Sequence, residues 1–233
     1  MGVRDGSALA SLRAQIARIE GRSRRARSVL PFGVREIDRH LPGGGLALGA
    51  LHEVAGGGNG AIDGAAAALF AGGIAARTRG KVLWCLTRAD LFAPALAQAG
   101  LALDRVIYLE AGDERTVLAC MEEGLRHGGL GAAVAEIARL SMSASRRLQL
   151  AAEGAATLGI ALRRWRISVL PSEPLPVPGI GRPRWLVELI RACAGESADF
   201  ELEGCDATGR LAVPADLAHR PAAAQARRDG TAG

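Results

Sequence analysis

The feature that most constrains this chain is a glycine-rich turn between a short apolar strand and a helical run. The segment from Leu46 to Leu69 reads LALGALHEVAGGGNGAIDGAAAAL. It predicts a strand over Leu51–Ala55 and, after the turn, an alanine-rich helix over Gly64–Arg77. A strand, a glycine turn and a helix in this order indicate a βα unit whose backbone N–H groups can wrap around phosphate.

The turn lacks the side chains that phosphate binding needs. Counted from Gly56, the template GxxxxGK[ST] places Ala61 at the second glycine. Ile62 then stands at the lysine that reaches the phosphates, and Asp63 at the hydroxyl that holds magnesium. Lys81 is the only lysine in the chain, so no other register supplies one. The degenerate nucleotide-contacting positions are Gly56, Gly57, Gly58, Asn59, Gly60 and Asp63.

Two interpretations of this turn remain open. In the first, Asp63 caps the following helix and its carboxylate occupies the anion site at the helix N-terminus, so the frame is kept but closed to nucleotide. In the second, the GGGNG segment is only a flexible loop between a strand and a helix.

Downstream, strand-like and helix-like segments alternate, which predicts parallel βαβ units. The predicted strands are Leu51–Ala55, Lys81–Leu86, Arg105–Leu109, Gly131–Ile137 and Gly159–Leu162. The predicted helices are Gly64–Arg77, Leu91–Ala99, Glu114–His127 and Ala144–Thr157. We therefore expect an α/β fold with a mostly parallel, doubly wound sheet.

Composition narrows the classes of protein. The 233 residues suit one α/β domain with appendages. The four cysteines form no CxxC pair and the four histidines show no ligand spacing, so we expect neither a metal site nor a disulfide framework. No apolar run reaches about 18 residues, and we expect a cytoplasmic protein without a membrane partner. A net charge of +5 favours nucleic acid or an acidic protein as partner.

Two appendages flank the predicted core. An amphipathic helix over 8–27 carries Leu12, Ile16 and Ile19 on one stripe, followed by Arg24 and Arg25. The stripe packs on the chain's own core or docks on a partner, and the arginines are a solvated face or track DNA phosphates. The predicted domains are a basic helix (1–28), a core (29–170), a proline-rich and β-rich segment (171–220) and a disordered tail (221–233).

Basic and aromatic residues are densest after the predicted core. Ala161–Val169 is predicted as one basic strand, and a hairpin is predicted from Trp185–Arg191 and Asp199–Glu203. Candidate contacts to a partner or to single-stranded DNA are Arg164, Trp165, Arg166, Arg184 and Trp185. The alternative is that the tryptophans belong to the core and the arginines alternate outward along a strand.

A series of motifs covers about residues 30–218: LPFG, LPGGGLALGALHE, GAAAALFA, VLWCL, DLFAPALAQAGL, RVIYLEAGDE, MEEGLRH, SRRLQLAAE, PLPVPGIGR and CDATGRL. In their joint order they resemble the ImuA family, RecA-related proteins of bacterial inducible mutagenesis cassettes. The resemblance implies a RecA-like core of the P-loop NTPase type, with an N-terminal helix and a C-terminal β-hairpin region.

The resemblance also bears on catalysis. In a RecA-type ATPase, the strand that matches Lys81–Leu86 leads to a glutamate that activates water, and here Arg88 falls near that position. Arginine stays protonated and cannot serve as this base. Glu136 stands where a carboxylate orients magnesium, but the lysine, the hydroxyl and the base are missing. We therefore expect no ATP hydrolysis, no catalytic residue and no cofactor.

The function implied by the resemblance is a non-catalytic adaptor of error-prone translesion DNA synthesis in the SOS response. Its implied partners are ImuB, an inactive relative of Y-family polymerases, and an alternative C-family polymerase. RecA, single-stranded DNA and a second copy of the chain stay open as further partners. The alternatives are a cell-division inhibitor like SulA, which also has a RecA-like core without a working P-loop, and a RecA- or DNA-binding modulator with weak residual ATPase activity.

Overall fold

The apolar strands and the helices between them fold as a parallel sheet with helices on both faces. The computed structural model describes residues 28–57, 61–163, 169–171, 182–189 and 198–214. The strands are β1 (Val29–Leu30), β2 (Leu46–Ala47), β3 (Leu51–Ala55), β4 (Lys81–Leu86), β5 (Val106–Glu110), β6 (Leu130–Ile137), β7 (Leu158–Arg163), β8 (Val169–Pro171), β9 (Arg184–Leu189) and β10 (Ala198–Glu203). The helices are α1 (Arg35–Asp38), α2 (Ala61–Ala76), α3 (Ala93–Gln98), α4 (Glu114–His127) and α5 (Met142–Glu153), with a 3-10 turn at Leu103–Arg105.

The main sheet has five parallel strands in the order β3-β7-β6-β4-β5. Strands that are buried on both faces read as continuous apolar runs, and all residues of β4 after Lys81 are buried. Helices α2 and α3 pack on one face of the sheet, whereas α4 and α5 pack on the other. The predicted doubly wound α/β fold is confirmed.

The predicted bounds of β3, β4 and α4 match the structure, and two helix bounds differ in a way that affects the site. Helix α2 begins at Ala61, so Asp63 lies inside its first turn. The prediction that Asp63 is the N-cap residue is therefore wrong, although a carboxylate in the first turn still interacts favourably with the helix dipole. Helix α5 begins at Met142 because the Ser141 hydroxyl accepts the Ala144 N–H at 3.2 Å.

The predicted single strand over Ala161–Val169 is described only at its two ends, because residues 164–168 lie outside the described residues. Strand β7 ends at Arg163 in the parallel sheet, whereas β8 pairs with β9 in a separate antiparallel sheet of order β10-β9-β8. Both pieces are apolar, and periodicity alone does not tell which sheet a strand joins. Pro171 lies in an edge strand of the antiparallel sheet, a position where its missing N–H is tolerated. The predicted hairpin is confirmed as β9 and β10.

Helix α2 is apolar all round because it is covered on two sides. Its inner side packs on the parallel sheet, and its outer side packs on the antiparallel sheet. Phe70 contacts Trp185 of β9 edge to face, with ring centroids 6.2 Å apart. A helix without a polar stripe is stable only in such a buried position.

A turn at Asp206–Arg210 closes the outer layer on α2. The Asp206 carboxylate accepts the backbone N–H groups of Thr208 at 2.8 Å and Arg210 at 2.9 Å, which holds the turn in shape. A Cβ at Gly73 of α2 would lie 2.2 Å from the Cys205 sulfur, and one at Gly100 would lie 2.3 Å from the backbone nitrogen of Gly209. Only glycine allows the turn to approach α2 this closely.

The segment before α1 is held at the end of α2 by two polar residues. The Asp38 carboxylate accepts the N–H groups of Phe32 at 2.7 Å and Gly33 at 3.0 Å. The Arg77 guanidinium lies over the Phe32 ring, 5.3 Å from its centroid, and donates to the Pro31 carbonyl. The Ile37-Asp38 pair of the sequence therefore has a structural role, because Ile37 is fully buried beside this anchor.

In the described residues, no helix is both long and apolar enough to cross a lipid bilayer.

We predict that Gly73→Ala destabilises the fold by about 1–3 kcal/mol, because the added methyl group overlaps the Cys205 sulfur. Gly64→Ala in the same helix is the matched control. No atom lies within 4 Å of its added Cβ, so it should leave stability unchanged or raise it by up to about 1 kcal/mol. Urea unfolding curves measure both, and equal effects of the two variants would contradict the close packing of the turn.

We also predict that acid destabilises the protein through His52 of β3. Its Nε2 lies 2.9 Å from the Ala47 carbonyl, and burial lowers the pKa of the imidazole. Because the unfolded chain then binds the proton more readily, stability should be full above about pH 6.5 and fall as the pH drops below it. His52→Gln should reduce this loss, whereas His127→Gln at an exposed position should not; thermal melts at pH 5 to 8 would show it.

Candidate functional site

The candidate site lies at the carboxyl edge of the parallel sheet, where ligands bind in doubly wound folds. Strand β3 runs into Gly56 and Gly57, and α2 begins at Ala61. Strands β4 and β6 are neighbours in the sheet and end at the same edge. The start of the glycine turn, the loop that contains Arg88 and the end of the strand that carries Glu136 thus lie at the same edge of the sheet.

Gly56, at the start of the glycine turn, packs tightly against the first turn of α2. A Cβ at Gly56 would lie 2.7 Å from the backbone carbonyl of Asp63, so glycine is required here by the packing of the chain on itself. Ile62, at the lysine position of the template, exposes 71% of its surface to solvent. Where a phosphate-binding loop presents a cation, this edge presents an apolar side chain next to a carboxylate.

Glu136 is buried and has a partner other than a metal ion. It follows Val134 by two residues and so projects from the same face of β6. Val134 lies opposite Trp84 of β4 in the sheet, and the Trp84 indole donates its N–H to the Glu136 carboxylate at 2.9 Å. A buried indole N–H needs an acceptor, and this carboxylate supplies it.

The loops that follow β4 and β6 present arginines. Arg88 and Arg139 each lie two residues beyond the end of their strand, and both are exposed. The Glu114 carboxylate at the start of α4 accepts the Ala138 N–H and ties the loop after β6 to the N-terminus of α4. The arrangement presents two exposed cations at the ends of neighbouring strands.

Two of the sequence-predicted contacts in the outer layer are structural. Trp185 is only 3% exposed and packs on Phe70, so the prediction that it contacts a partner or DNA is wrong and the alternative of a core tryptophan holds. Arg184 is half-buried, with its guanidinium 3.8 Å from the Glu201 carboxylate. The neighbouring Arg182 donates to the Gly204 carbonyl at 2.6 Å, so these arginines hold the antiparallel sheet to its turn.

The remaining sequence-predicted positions lie outside the described residues. They are Gly58, Asn59 and Gly60 of the glycine turn, the helix residues Leu12, Ile16, Ile19, Arg24 and Arg25, and Arg164, Trp165 and Arg166.

The described residues contain no group of three or more histidine, cysteine or acidic side chains placed to hold a metal ion. Burial raises the pKa of the Cys85 and Cys205 thiols to about 12. Both cysteines are therefore protonated packing residues at neutral pH, without the thiolate that metal binding or nucleophilic attack needs.

Sequence reasoning missed Trp84 as the partner of Glu136. Both lie in recognisable strands, but α3, β5 and α4 separate the two strands in sequence, and only their parallel pairing brings the side chains together. It also missed the exposure of Phe92 and Met142, which are 69% and 86% exposed beside the arginine loops. The sequence did contain a signal for these two residues, because each lies a few positions after a predicted strand that ends at the ligand-binding edge of a doubly wound sheet.

The protein is similar in sequence to protein ImuA from Caulobacter vibrioides. The match to ImuA of strain NA1000 / CB15N is 38% identical over 216 residues and covers 81% of this chain and 88% of the relative. ImuA of strain ATCC 19089 / CIP 103742 / CB 15 matches to the same extent. The chain belongs to the ImuA family. No model in a scan of protein families matches it.

Solved structures place this ImuA-family chain in the RecA-like fold. The RadB recombinase superposes with a TM-score of 0.51 at 17% identity, over 79% of this chain and 99% of that one. The predicted RecA-like core is thereby confirmed. SulA from Pseudomonas aeruginosa matches 48% of this chain at 24% identity, with a TM-score of 0.41 that is too low to support an argument about function.

We predict that Glu136→Ala lowers the free energy of unfolding by about 1–3 kcal/mol, because it leaves the Trp84 indole N–H buried without its acceptor. Glu136→Gln keeps an acceptor oxygen and should cost less. Adding Trp84→Phe to each background completes a double-mutant cycle in urea, in which strong coupling is expected. Purely additive effects would mean that the hydrogen bond does not stabilise this strand pair.

Proposed function

We propose that this protein is a non-catalytic, RecA-like adaptor of an error-prone translesion DNA synthesis complex in the DNA damage response. Its partners in this proposal are an ImuB-like inactive relative of Y-family polymerases and an alternative C-family polymerase. Membership of the ImuA family supports a role in the DNA damage response. The residues at the carboxyl edge of the sheet support the absence of catalysis, because they differ from those of the phosphate-binding template.

The observation that carries the proposal is the replacement of the phosphate-binding and magnesium-binding side chains at this edge, together with the hydrogen bond of Glu136 to Trp84. Ile62 replaces the phosphate-binding cation and Asp63 replaces the magnesium-binding hydroxyl. The carboxylate of Glu136 accepts a hydrogen bond from Trp84. Phosphoryl transfer depends on positioning and on stabilising negative charge, and these residues provide neither the lysine nor the metal-binding hydroxyl for it.

A RecA-like protein that does not hydrolyse ATP acts by binding partner proteins through its surface. The first test is co-purification of the full chain with the ImuB-like protein, each expressed separately and mixed as clean proteins. The proposal expects a stoichiometric complex that forms without nucleotide. Failure to form a complex at micromolar concentrations, with the C-family polymerase present or absent, would remove the adaptor function.

The second test is nucleotide binding, for which we predict no saturable binding of a fluorescent ATP analogue and no hydrolysis with magnesium. The triple variant Ala61→Gly, Ile62→Lys, Asp63→Thr rebuilds the GxxxxGK[ST] template and should gain measurable binding if the frame is retained. Equilibrium fluorescence titration measures both proteins. Tight ATP binding by the unaltered chain would contradict the proposal.

A further inference from the structure

The most exposed apolar side chains of the described residues follow strands of the parallel sheet. Among the described residues, the three most exposed large apolar side chains are Met142 at 86%, Ile62 at 71% and Phe92 at 69%. The next is Leu150 at 57%, and the remaining exposed ones are at most 47%. Exposed apolar area of this kind marks an interaction site when it is grouped.

The chain topology places these three residues at the same edge of the sheet. Ile62 lies in the first turn of α2 after β3, Phe92 directly precedes α3 after β4, and Met142 is the first residue of α5 after β6. The strands are parallel, so the segments that follow them all emerge at the carboxyl edge. This is the same edge at which β3 leads into the glycine turn and α2 begins.

Positive charge accompanies the apolar side chains. Arg88 and Arg139 follow two strands that pair directly with each other, and their guanidinium groups form no hydrogen bond or ion pair with the described part of the chain. The acidic groups at this edge are largely engaged. Asp63, Asp90 and Glu136 have interactions within the chain, Asp113 caps α4, Glu114 binds the Ala138 N–H, and Glu110 is exposed at the end of β5.

We propose that this carboxyl edge is a docking surface for an acidic, amphipathic segment of a partner protein. The apolar side of that segment packs on Ile62, Phe92 and Met142, and its carboxylates face Arg88 and Arg139. The inference rests on the proposed function and gives the adaptor a binding face, at the place where an active relative of this fold would hold nucleotide.

The side-chain chemistry favours a protein over single-stranded DNA. Stacking with bases requires flat aromatic faces, and of the three apolar residues only Phe92 has one. Ile62 and Met142 bind apolar side chains instead, and methionine adapts its shape to the partner. A central aromatic residue with flanking arginines is also the composition of energetic centres in protein interfaces.

The test measures binding of the full-length protein to the purified ImuB-like partner by surface plasmon resonance. The double variant Phe92→Asp, Met142→Asp should bind at least about tenfold more weakly, because it places charge in the apolar contact. Leu103→Asp is the matched control, since Leu103 is also exposed but precedes β5 and so lies at the opposite edge. Circular dichroism and melting curves verify that all variants are folded.

A second pair of variants tests the charge. Affinity should fall as sodium chloride rises from about 50 to 500 mM, and Arg88→Gln with Arg139→Gln should remove most of that dependence. Arg79→Gln is the control, because Arg79 is exposed but precedes β4 at the amino edge. This measurement does not require the apolar substitutions to be tolerated.

The outcomes separate the two proposals. If the unaltered protein binds the partner and the edge variants bind equally well, the docking surface is wrong and the adaptor function stands. If the unaltered protein does not bind the partner, the adaptor function fails, and the docking surface fails with it. If a thirty-nucleotide oligo(dT) strand binds and only the edge variants lose it, the edge is a DNA site and the inference is overturned.

Discussion

The structure depends on the burial of α2 between two sheets. The helix has no polar stripe, so it cannot form the surface of a two-layer protein, and the antiparallel sheet with the Asp206–Arg210 turn must cover it. Contact between the layers is possible because Gly73 and Gly100 lack side chains where the turn approaches. The small residues of α2 are therefore a packing requirement of the third layer.

The same burial shapes the candidate site. Helix α2 is fixed along its length, so its first turn is fixed as well, and Gly56, directly after β3, packs against Asp63 in that turn. The sheet beneath keeps its neighbouring strands in register, which places Trp84 beside Glu136. The packing of α2 on the sheet maintains the backbone geometry of the carboxyl edge. This geometry therefore does not depend on the side chains that contact phosphate in a phosphate-binding loop.

Much of the fold followed from local pattern. The bounds of β3, β4 and α4 came from apolar runs and from a helix with one apolar face, and Asp113 and Gly128 at the ends of α4 are standard capping residues. Local pattern did not tell which sheet each strand joins. Ala161–Val169 was predicted as one strand, whereas its first and last residues pair in different sheets with partners that are distant in sequence.

The sequence by itself determined the order of the elements and the loss of the phosphate-binding lysine and hydroxyl, because these depend on residue type at a fixed spacing. Tertiary structure decided the roles of residues whose neighbours are remote in the chain. Tertiary packing buries Trp185 against Phe70 and places the Trp84 indole N–H where it donates to the Glu136 carboxylate. It also leaves Ile62, Phe92 and Met142 exposed at one edge of the sheet. Burial and contact are properties of the packed layers, and no local pattern contains them.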